Sequence, residues 1–295
     1  MIGEVANVTS GSRISIVTPA RNEVGHLPRL IESIVGQTLR PFRWVIVSDG
    51  STDGTDKVAL EAAAQWPFID FVRRDDDGGR DFAKKVSAIE LGLTHVDGDE
   101  DFFGNVDADV EFPSGYFEAL VEQMRLDPSL GVAGGLVVDV DEDGCVHGRP
   151  GRPDIVPGAV QLFRRSCFDE VGGYMPLRNG SEDTVACLVA QMRGWRTAVI
   201  DTLEVRHHRT SGTADRSLLR ARYREGKRDY AIGYHPLFAL AKGVKRIPER
   251  PALVGALARV VGFSAGLAGR QGPEVADDVV AYLRARQLAE LKIRC

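Results

Sequence analysis

The sequence predicts an α/β fold, in which a mostly parallel central sheet is flanked by helices and followed by a helical C-terminal extension. Two observations carry this prediction. Short apolar runs rich in β-branched residues alternate with segments of helical periodicity through the first half of the 295 residues, a pattern typical of parallel sheets. Polar, turn-forming clusters follow these apolar runs, and ligands in such sheets bind beyond the carboxyl ends of the strands.

Four strands and three helices are predicted to alternate in the first half. The strands are short apolar runs, at residues 13–18, 43–48, 68–73 and 102–106. The helices have apolar residues three or four positions apart, at residues 26–37, 53–65 and 82–93. Pro113 is expected to begin a fourth helix, because proline is tolerated in the first helical turn.

The second half has a more mixed pattern. Residues 131–140 and 195–200 are predicted strands, and residues 181–193 are a predicted helix with one apolar face. The last part of the chain is helical and basic in pattern. We therefore expect a domain at residues 1–211 and a helical, basic extension at residues 212–295.

Composition limits the class of protein. The chain is 43% hydrophobic and 27% charged, which is ordinary for a soluble globular protein, and its net charge of −5 gives no reason to expect a nucleic-acid partner. Between residues 206 and 250, however, basic residues outnumber acidic ones, which suggests an anionic partner there. The N-terminus has no basic-then-apolar signal region, so we expect a cytoplasmic protein.

Asp107 and Asp109 directly follow the fourth predicted strand. In an extended chain, residues two positions apart point to the same side, so both carboxylates are expected to face one cation. Mg²⁺ and Mn²⁺ prefer oxygen ligands, and Mg²⁺ is often shared between carboxylates and substrate phosphates. The alternative is an acidic surface turn, because Asp-x-Asp alone is common. Other segments of the chain favour the metal site.

Two of these segments follow the first and second strands, at residues 18–23 and 48–55. Their small and turn-forming residues would let a flat ligand approach the backbone, and Asp49 offers an acceptor for the N–H edge of a nucleobase. The alternative is a turn in which Asp53 or Ser51 caps the next helix. Neither segment is a Walker A loop or a GxGxxG fingerprint, which argues against a nucleoside triphosphatase or a dinucleotide-binding enzyme.

Taken together, the motifs resemble family 2 glycosyltransferases of the GT-A fold. They are PARNE at residues 19–23, VSDGSTDGT at residues 47–55 and VDAD at residues 106–109. The resemblance continues through Gly180-Ser181-Glu182-Asp183 and extends from Ile14 to about Thr210. Ser48 departs from the family pattern, since many members carry an acidic residue there.

The resemblance implies transfer of a sugar from a nucleotide diphosphate-sugar donor to an acceptor hydroxyl, with inversion at the anomeric carbon. The residues that it implies for the nucleoside pocket are Pro19, Arg21, Glu23 and Asp49. Asp107 and Asp109 would hold a divalent cation, Mn²⁺ or Mg²⁺, on the diphosphate. Arg80 stands near the place where many members have a basic residue close to the nucleotide, and the alternative is a solvated loop arginine.

Asp183 is the candidate catalytic base. The attacking hydroxyl must lose a proton as the new bond forms, which requires a carboxylate within hydrogen-bonding reach. Asp183 falls in the first turn of a predicted helix, where the helix dipole favours the ionised form. Glu182 is expected to orient the acceptor. The alternative is that both acids only decorate a helix N-terminus, where acids are common.

Many GT-A enzymes carry a histidine after the strand that follows the catalytic helix, and it can complete the metal shell. His207 and His208 occupy that place here. Adjacent residues in a strand face opposite sides, so at most one of them can serve, and we prefer His207. An imidazole ligand suits Mn²⁺ better than Mg²⁺. The alternative is a structural or exposed histidine.

The C-terminal part combines basic, aromatic stretches between residues 222 and 238 with an apolar segment at residues 252–268. Together they suit an anionic lipid-linked acceptor or the inner face of the cell membrane, since each basic residue near such a surface contributes about 1 kcal/mol. The alternatives are an exposed helical face and a core-facing helix. No apolar stretch is long enough to span a bilayer.

We therefore expect a metal-dependent inverting glycosyltransferase that acts in the synthesis of a cell-surface polysaccharide or glycolipid. Two alternatives stay open. A sugar-phosphate nucleotidyltransferase needs a GxGTR-like loop, which residues 19–22 do not provide. An inactive sugar-nucleotide-binding protein has no need to keep Asp107, Asp109 and Asp183. The sequence names neither the sugar nor the base; Asp49 fits uracil and does not exclude guanine or thymine.

Overall fold

The computed structural model describes residues 11–75, 82–141, 143–148, 151–208, 218–249, 251–269 and 272–293. The strands in these ranges are β1 (Ile14–Ala20), β2 (Arg43–Asp49), β3 (Ile69–Arg74), β4 (Phe102–Val106), β5 (Val110–Glu111), β6 (Leu130–Val140), β7 (Val146–Gly148), β8 (Val160–Arg164) and β9 (Arg196–His207). The helices are α1 (Leu27–Val35), α2 (Thr55–Gln65), α3 (Phe82–Leu93), α4 (Tyr116–Leu126), α5 (Arg165–Val171), α6 (Glu182–Met192), α7 (Leu218–Ala231), α8 (Pro236–Lys245), α9 (Val254–Ala268) and α10 (Asp277–Ile293).

All of these strands belong to one sheet, which has two halves of different character. β3, β2, β1 and β4 lie side by side and pair in parallel, as the alternation of strands and helices predicted. Beyond β4 the order continues with β8, β6, β9 and β5, and β7 pairs with β6. In this half β8 runs antiparallel to β4 and β6, while β6 and β9 are parallel. The α/β class is therefore confirmed, with antiparallel pairs concentrated in the second half.

Local periodicity located the first seven elements to within two residues, but not the start of the next helix. The prediction that α4 begins at Pro113 is wrong, because Gly115 has a φ of 81° and such a left-handed residue cannot continue a helix toward the N-terminus. α4 instead begins at Tyr116, whose N–H is 3.3 Å from the carbonyl of Pro113. The elements β5, β7, β8 and α5 had no predicted counterpart.

β9 is longer than the strand predicted at residues 195–200. Its pairing with β6 is interrupted by a bulge, since Gly135 pairs with Ile200 and the next residue, Leu136, pairs with Glu204. Residues 201–203 are therefore extra on β9. Beyond the bulge the strand continues until His207 lies beside Asp139 of β6 and Val110 of β5. The bulge thus decides which residue of β9 reaches the site described below.

The described residues form two hydrophobic clusters. The larger one fills both faces of the sheet and contains fully buried Trp44, Tyr116 and Phe103. The smaller one joins the outer face of α6, through Val185 and Leu188, to residues of α10 such as Leu283. The C-terminal helices are therefore packed against the element that carries Glu182 and Asp183. The predicted boundary between residues 211 and 212 lies outside the described residues.

Helices α7 and α9 cross at very close range. A Cβ atom added to Gly226 of α7 would lie 1.9 Å from the carbonyl oxygen of Arg259, and one added to Gly262 of α9 would lie 2.0 Å from that of Tyr223. Only glycine permits this approach of two backbones. Among the described residues, no helix is both long and apolar enough to cross a membrane.

Candidate active site

Asp107 and Asp109 lie at the end of β4, but not in the extended conformation expected for them. Every residue of β4 is buried, and the strand stops at Val106. Residues 107–109 then leave the extended conformation and turn toward β5. A turn removes the alternation of an extended strand, so the two carboxylates have different neighbours. Asp107 contacts Lys85, and Asp109 contacts His207.

Lys85 of α3 links Asp107 to the start of α6. Its Nζ atom is 2.7 Å from Oδ1 of Asp107 and 3.7 Å from Oε1 of Glu182. Burial lowers the pKa of Lys85, but the carboxylates of Asp107 and Glu182 more than compensate and hold that pKa above its usual value. The ammonium group is therefore charged, and the end of β4 and the beginning of α6 meet in one site.

Glu182 is the more deeply buried of the two acids in the first turn of α6. Burial raises the pKa of Glu182 above its usual value, and the nearby ammonium of Lys85 only partly offsets this effect. The negative charge of Asp183 raises it further. The two neighbouring acids therefore have different surroundings, a condition under which two carboxyl groups can take different roles.

Asp183 is oriented by the backbone of a neighbouring loop. The N–H of Gly158 donates to Oδ2 of Asp183 at 2.8 Å, and the N–H of Thr184 donates to Oδ1 at 2.6 Å. The carbonyl of Gly158 in turn accepts from the side-chain amide of Asn105, which is buried in β4. A single chain of hydrogen bonds thus runs from β4 through Gly158 to the predicted base.

The start of α6 is held in a fixed conformation. Ser181, which precedes the helix, has a φ of 83°, an uncommon conformation for a residue other than glycine. Gln161 of β8 donates to the carbonyl of Asp183 at 3.1 Å and accepts from the hydroxyl of Tyr174 at 2.7 Å. These buried contacts set the position from which α6 begins.

His207 lies between two carboxylates. Its Nδ1 atom is 2.9 Å from Oδ1 of Asp139, and its Nε2 atom is 3.5 Å from Oδ1 of Asp109. A hydrogen on Nδ1, donated to Asp139, would leave the lone pair of Nε2 on the side of Asp109. Metal-binding histidines typically use this arrangement, in which a carboxylate that does not touch the metal accepts from the other ring nitrogen and orients the ring. His208 instead contacts Glu111, at 2.6 Å.

The described residues contain no group of three or more histidine, cysteine or acidic side chains that could hold a metal ion by themselves. Asp109 and His207 supply one oxygen and one nitrogen donor close together. Two protein donors suffice for a cation that takes its remaining ligands from substrate phosphates and water. The residues present therefore fit a shared metal site better than a site built from protein ligands alone.

The predicted nucleoside-binding residues lie at the carboxyl ends of β1 and β2. Buried Asp49 is between two arginines, with Nη1 of Arg21 3.5 Å from Oδ2 and Nη1 of Arg74 3.3 Å from Oδ1. Pro19 is half-buried near the end of β1 and Glu23 is buried just beyond it. Arg80 lies outside the described residues.

The loops after β1 and β2 are tied together. The N–H of Thr52 donates to the side chain of Asn22 at 2.9 Å, and the N–H of Val24 donates to Asp53 at 3.1 Å. Asp53 also accepts from the N–H of Thr55, the first residue of α2, at 3.0 Å. The N-cap residue of α2 is Gly54, so Asp53 does not occupy the cap position that the alternative interpretation gave it. Asp53 nevertheless accepts from the first N–H of the helix and joins the two loops.

Sequence reasoning missed several residues of the site. They are Arg74, Lys85, Asn105, Asp139, Gly158 and Gln161. Lys85 belongs to an ordinary amphipathic helix, and only its packing beside β4 brings it to Asp107. Asp139 reaches His207 through strand register. The one available signal was the position of Arg74 at the end of a predicted strand, where ligand-binding residues collect.

Comparisons with known proteins show the family of this chain. The model of glycosyl transferase family 2 matches residues 15–183. The 4,4'-diaponeurosporenoate glycosyltransferase of Staphylococcus aureus (strain USA300) is 34% identical over 120 residues, which are 40% of this chain and 30% of that protein. The corresponding enzyme of Staphylococcus haemolyticus is 32% identical over 110 residues. The chain thus matches less than a third of the length of these relatives.

Solved structures show the fold. The mannosyltransferase PcManGT from Pyrobaculum calidifontis, in complex with GDP-Man and Mn²⁺, has a TM-score of 0.57 at 17% identity, over 97% of this chain and 82% of that one. GalNAc-T7 with UDP, GalNAc and Mn²⁺ has a TM-score of 0.55 at 16% identity, over 89% of this chain and 55% of that one. The fold is GT-A. Because the family model matches more than half of the residues, the chain belongs to glycosyl transferase family 2.

Proposed function

We propose that this enzyme is a metal-dependent inverting glycosyltransferase that moves a sugar from a nucleotide diphosphate-sugar to an acceptor hydroxyl. One observation carries the proposal. Lys85 lies 2.7 Å from Asp107 and 3.7 Å from Glu182, so the donor-side carboxylate and the first turn of α6 share one site. Inverting transfer requires this proximity, because the base must act on an acceptor that attacks the sugar directly.

The nucleoside would bind at the ends of β1 and β2, against Pro19, Arg21, Glu23 and Asp49. Arg74 supports this role, since it lies beside Asp49 and adds positive charge where an anionic nucleotide would approach. Arg80 keeps its proposed place near the nucleotide. The base remains open among uracil, guanine and thymine, because Asp49 can accept from an N–H group of each.

Asp109 and His207 would hold Mn²⁺ or Mg²⁺, with Asp107 beside them on the diphosphate. A bound divalent cation would neutralise the charge that develops on the leaving nucleotide diphosphate. The imidazole donor favours Mn²⁺. Two of the solved structures with this fold are complexes that contain Mn²⁺, which supports the same cation class here.

Asp183 would accept the proton of the attacking hydroxyl. The hydrogen bonds from Gly158 and Thr184 hold its carboxylate in place. Glu182 would orient the acceptor, and the charged Lys85 would offset the negative charge collected around it. The acceptor would belong to a cell-surface polysaccharide or a glycolipid, including a lipid-linked one, at the inner face of the membrane.

Donor hydrolysis tests this function without knowledge of the acceptor. Thermal shift with UDP-, GDP- and dTDP-sugars plus Mn²⁺ identifies the donor, since a ligand that binds only the native state raises stability. We then expect Mn²⁺-dependent release of nucleoside diphosphate, reduced at least about tenfold in Asp109→Ala. Asp141→Ala, which removes a carboxylate from the exposed β6–β7 turn, is the control.

Three outcomes would contradict the proposal. Equal donor binding with and without a chelator would exclude the metal. If the donor binds with about one molecule per protein but is never hydrolysed, the protein is an inactive sugar-nucleotide-binding protein. Release of pyrophosphate from a nucleoside triphosphate and a sugar phosphate would indicate a nucleotidyltransferase.

A further inference from the structure

Exposed apolar side chains are concentrated in the C-terminal helices. Ten of the fifteen large hydrophobic side chains that are exposed among the described residues lie between Leu218 and Leu267. Six of them form two stripes of identical spacing, on α8 and α9, and are between 50 and 62% exposed. We call these six the apolar face: Leu237, Leu240, Val244, Val254, Leu257 and Val261.

Both stripes contain the same four-residue sequence pattern. Ala-Leu-Ala followed by a basic residue occurs at residues 239–242 and again at residues 256–259. In each helix the basic side chain turns inward. Lys242 is 2.8 Å from Asp229 of α7, and Arg259 is 2.6 Å from Glu225 of α7. Lys242 and Arg259 are thereby directed toward α7, so neither of them adds charge to the stripes.

Helical geometry places both stripes on the same side. At about 100° per residue, the three stripe residues of each helix point roughly 160 to 220° away from its inward basic residue. Because both basic residues, Lys242 and Arg259, point to α7, both stripes face away from it. The two helices also touch, since a Cβ atom at Gly243 would be 3.5 Å from Val260. The apolar face is therefore one continuous surface.

Charge identifies the occupant of this surface. Residues 218–269 contain ten Lys and Arg against three Asp and Glu, although the whole chain has a net charge of −5. Lys245 is exposed directly beside Val244. A second copy of this chain would bring the same excess of positive charge to the interface and repel it. An anionic bilayer supplies negative charge to the basic helices and an apolar interior to the exposed leucines and valines.

We propose that the apolar face of α8 and α9 docks on the surface of an anionic lipid bilayer and inserts its six aliphatic side chains below the headgroups. This inference rests on the proposed location of the enzyme at a membrane and gives that location a specific surface. It does not depend on glycosyl transfer, because docking requires neither donor nor acceptor.

Vesicle sedimentation of the full-length protein tests the proposal. We expect binding to mixed phosphatidylcholine–phosphatidylglycerol vesicles and little binding to phosphatidylcholine alone. The double variant Leu240→Asn/Leu257→Asn should bind at least about tenfold more weakly, because two buried aliphatic groups are lost. Lys245→Glu should weaken binding about fivefold or more on the mixed vesicles only. The matched control is Leu60→Asn/Leu126→Asn, which removes two exposed leucines of α2 and α4 and should bind as wild type.

Two results would overturn the proposal. One is equal binding of the Leu240→Asn/Leu257→Asn variant and the wild type to the mixed vesicles. The other is a dimer in light scattering that this variant dissociates, which would make a second copy the occupant. Unchanged melting temperatures show that the variants fold, since the substituted side chains are exposed. Donor hydrolysis in solution should be the same in all of them, so failure of docking and failure of the enzymatic function remain distinguishable.

Discussion

At the scale of single residues, the site is organised by contacts between oppositely charged groups and by backbone donors. Lys85 is surrounded by carboxylates, and its neighbour Glu182 is held in surroundings that disfavour its charge. Asp183, the next residue, accepts two backbone hydrogen bonds instead. Adjacent positions in one helical turn thus differ in electrostatic environment because different elements pack against them.

The raised pKa of Glu182 predicts a pH dependence of stability. The folded state holds this proton more tightly than the unfolded state, whose pKa is near 4.5, so the folded state binds more protons between the two pKa values. Ionisation of Glu182 therefore lowers stability as the pH rises through this window. Glu182→Gln removes that loss, and the difference in urea midpoint between the variant and the wild type should grow from pH 4.5 to 7 without added metal.

Asp53→Asn is the control of opposite sign. Burial raises the pKa of Asp53, but the hydrogen bonds from Thr55 and Val24 together outweigh it and lower that pKa overall. The contribution of Asp53 to stability is therefore present near neutral pH and is lost as the pH falls. This variant should be less stable than the wild type at pH 7 and approach it in acid. A constant difference for Glu182→Gln across the pH range would contradict the prediction.

Gly158 offers a test of how the predicted base is positioned. A Cβ atom there would lie 3.1 Å from the Cβ atom of Asp183, so Gly158→Ala should push the carboxylate away by a few tenths of an ångström. We expect a fall in turnover of donor of about tenfold or more, with donor affinity nearly unchanged, because positioning errors act on the chemical step. Initial rates and donor titration separate the two quantities.

Gly151→Ala is the matched control for this substitution. It lies in the same loop and has no atom within 4 Å of an added Cβ, so its turnover should equal that of the wild type. An equal loss in both variants would mean that loop mobility matters and that the orientation of Asp183 does not.

At the scale of elements, the crossing of α7 and α9 depends on glycine. The Cβ atom of Gly262→Ala would meet the carbonyl of Tyr223 at 2.0 Å, and a backbone atom within a helix cannot move aside alone. We expect a loss of about 1–3 kcal/mol in the free energy of unfolding. Gly243→Ala of α8 is the comparison, because its Cβ atom would make an ordinary contact at 3.5 Å. The free energy of unfolding of Gly243→Ala should rise by about 0.5–1 kcal/mol, because alanine has a higher helix propensity than glycine. Denaturant unfolding measures both, and similar values would refute the role of close packing.

Elements also differ in how far sequence could predict them. β1 to β4 and α1 to α3 follow directly from the local pattern, since the strands are short apolar runs and the helices have apolar residues three or four positions apart. β8 could not be recognised in this way, because it pairs antiparallel with β4, a strand more than fifty residues earlier in the chain. The start of α4 depended on the backbone conformation of Gly115, a choice that residue type permits but does not require.

At the scale of the whole molecule, motif residues could be predicted and their supporting partners could not. Pro19 and Asp49 lie at the carboxyl ends of strands. Asp107 follows a strand and Asp183 lies in the first turn of a helix, and the sequence marks all of these positions. Lys85, Asn105 and Gln161 reach the site only through tertiary packing, and each belongs to an element with an ordinary pattern. The expected extended geometry of Asp107 and Asp109 was wrong because the chain turns there to form β5.

Helix α6 lies between the candidate active site and the C-terminal helix α10. The first turn of this helix faces Asp107 and Lys85, and its apolar side packs on α10. Arg286 of α10 contacts Asp154 and Gln191, so the last helix also holds the loop that leads to Gly158. The C-terminal helices thus support the position of Asp183 while α8 and α9 present the apolar face.

The bulge at residues 201–203 makes the site sensitive to insertions and deletions in β9. The pairing beyond the bulge depends on the number of residues in it, so deleting one residue there would set His208 next to Asp139, and inserting one would set Arg206 there. Changes by two residues would keep the alternation but shift the pairing. The number of residues in this stretch of β9, more than their identity, therefore determines which residue faces Asp109.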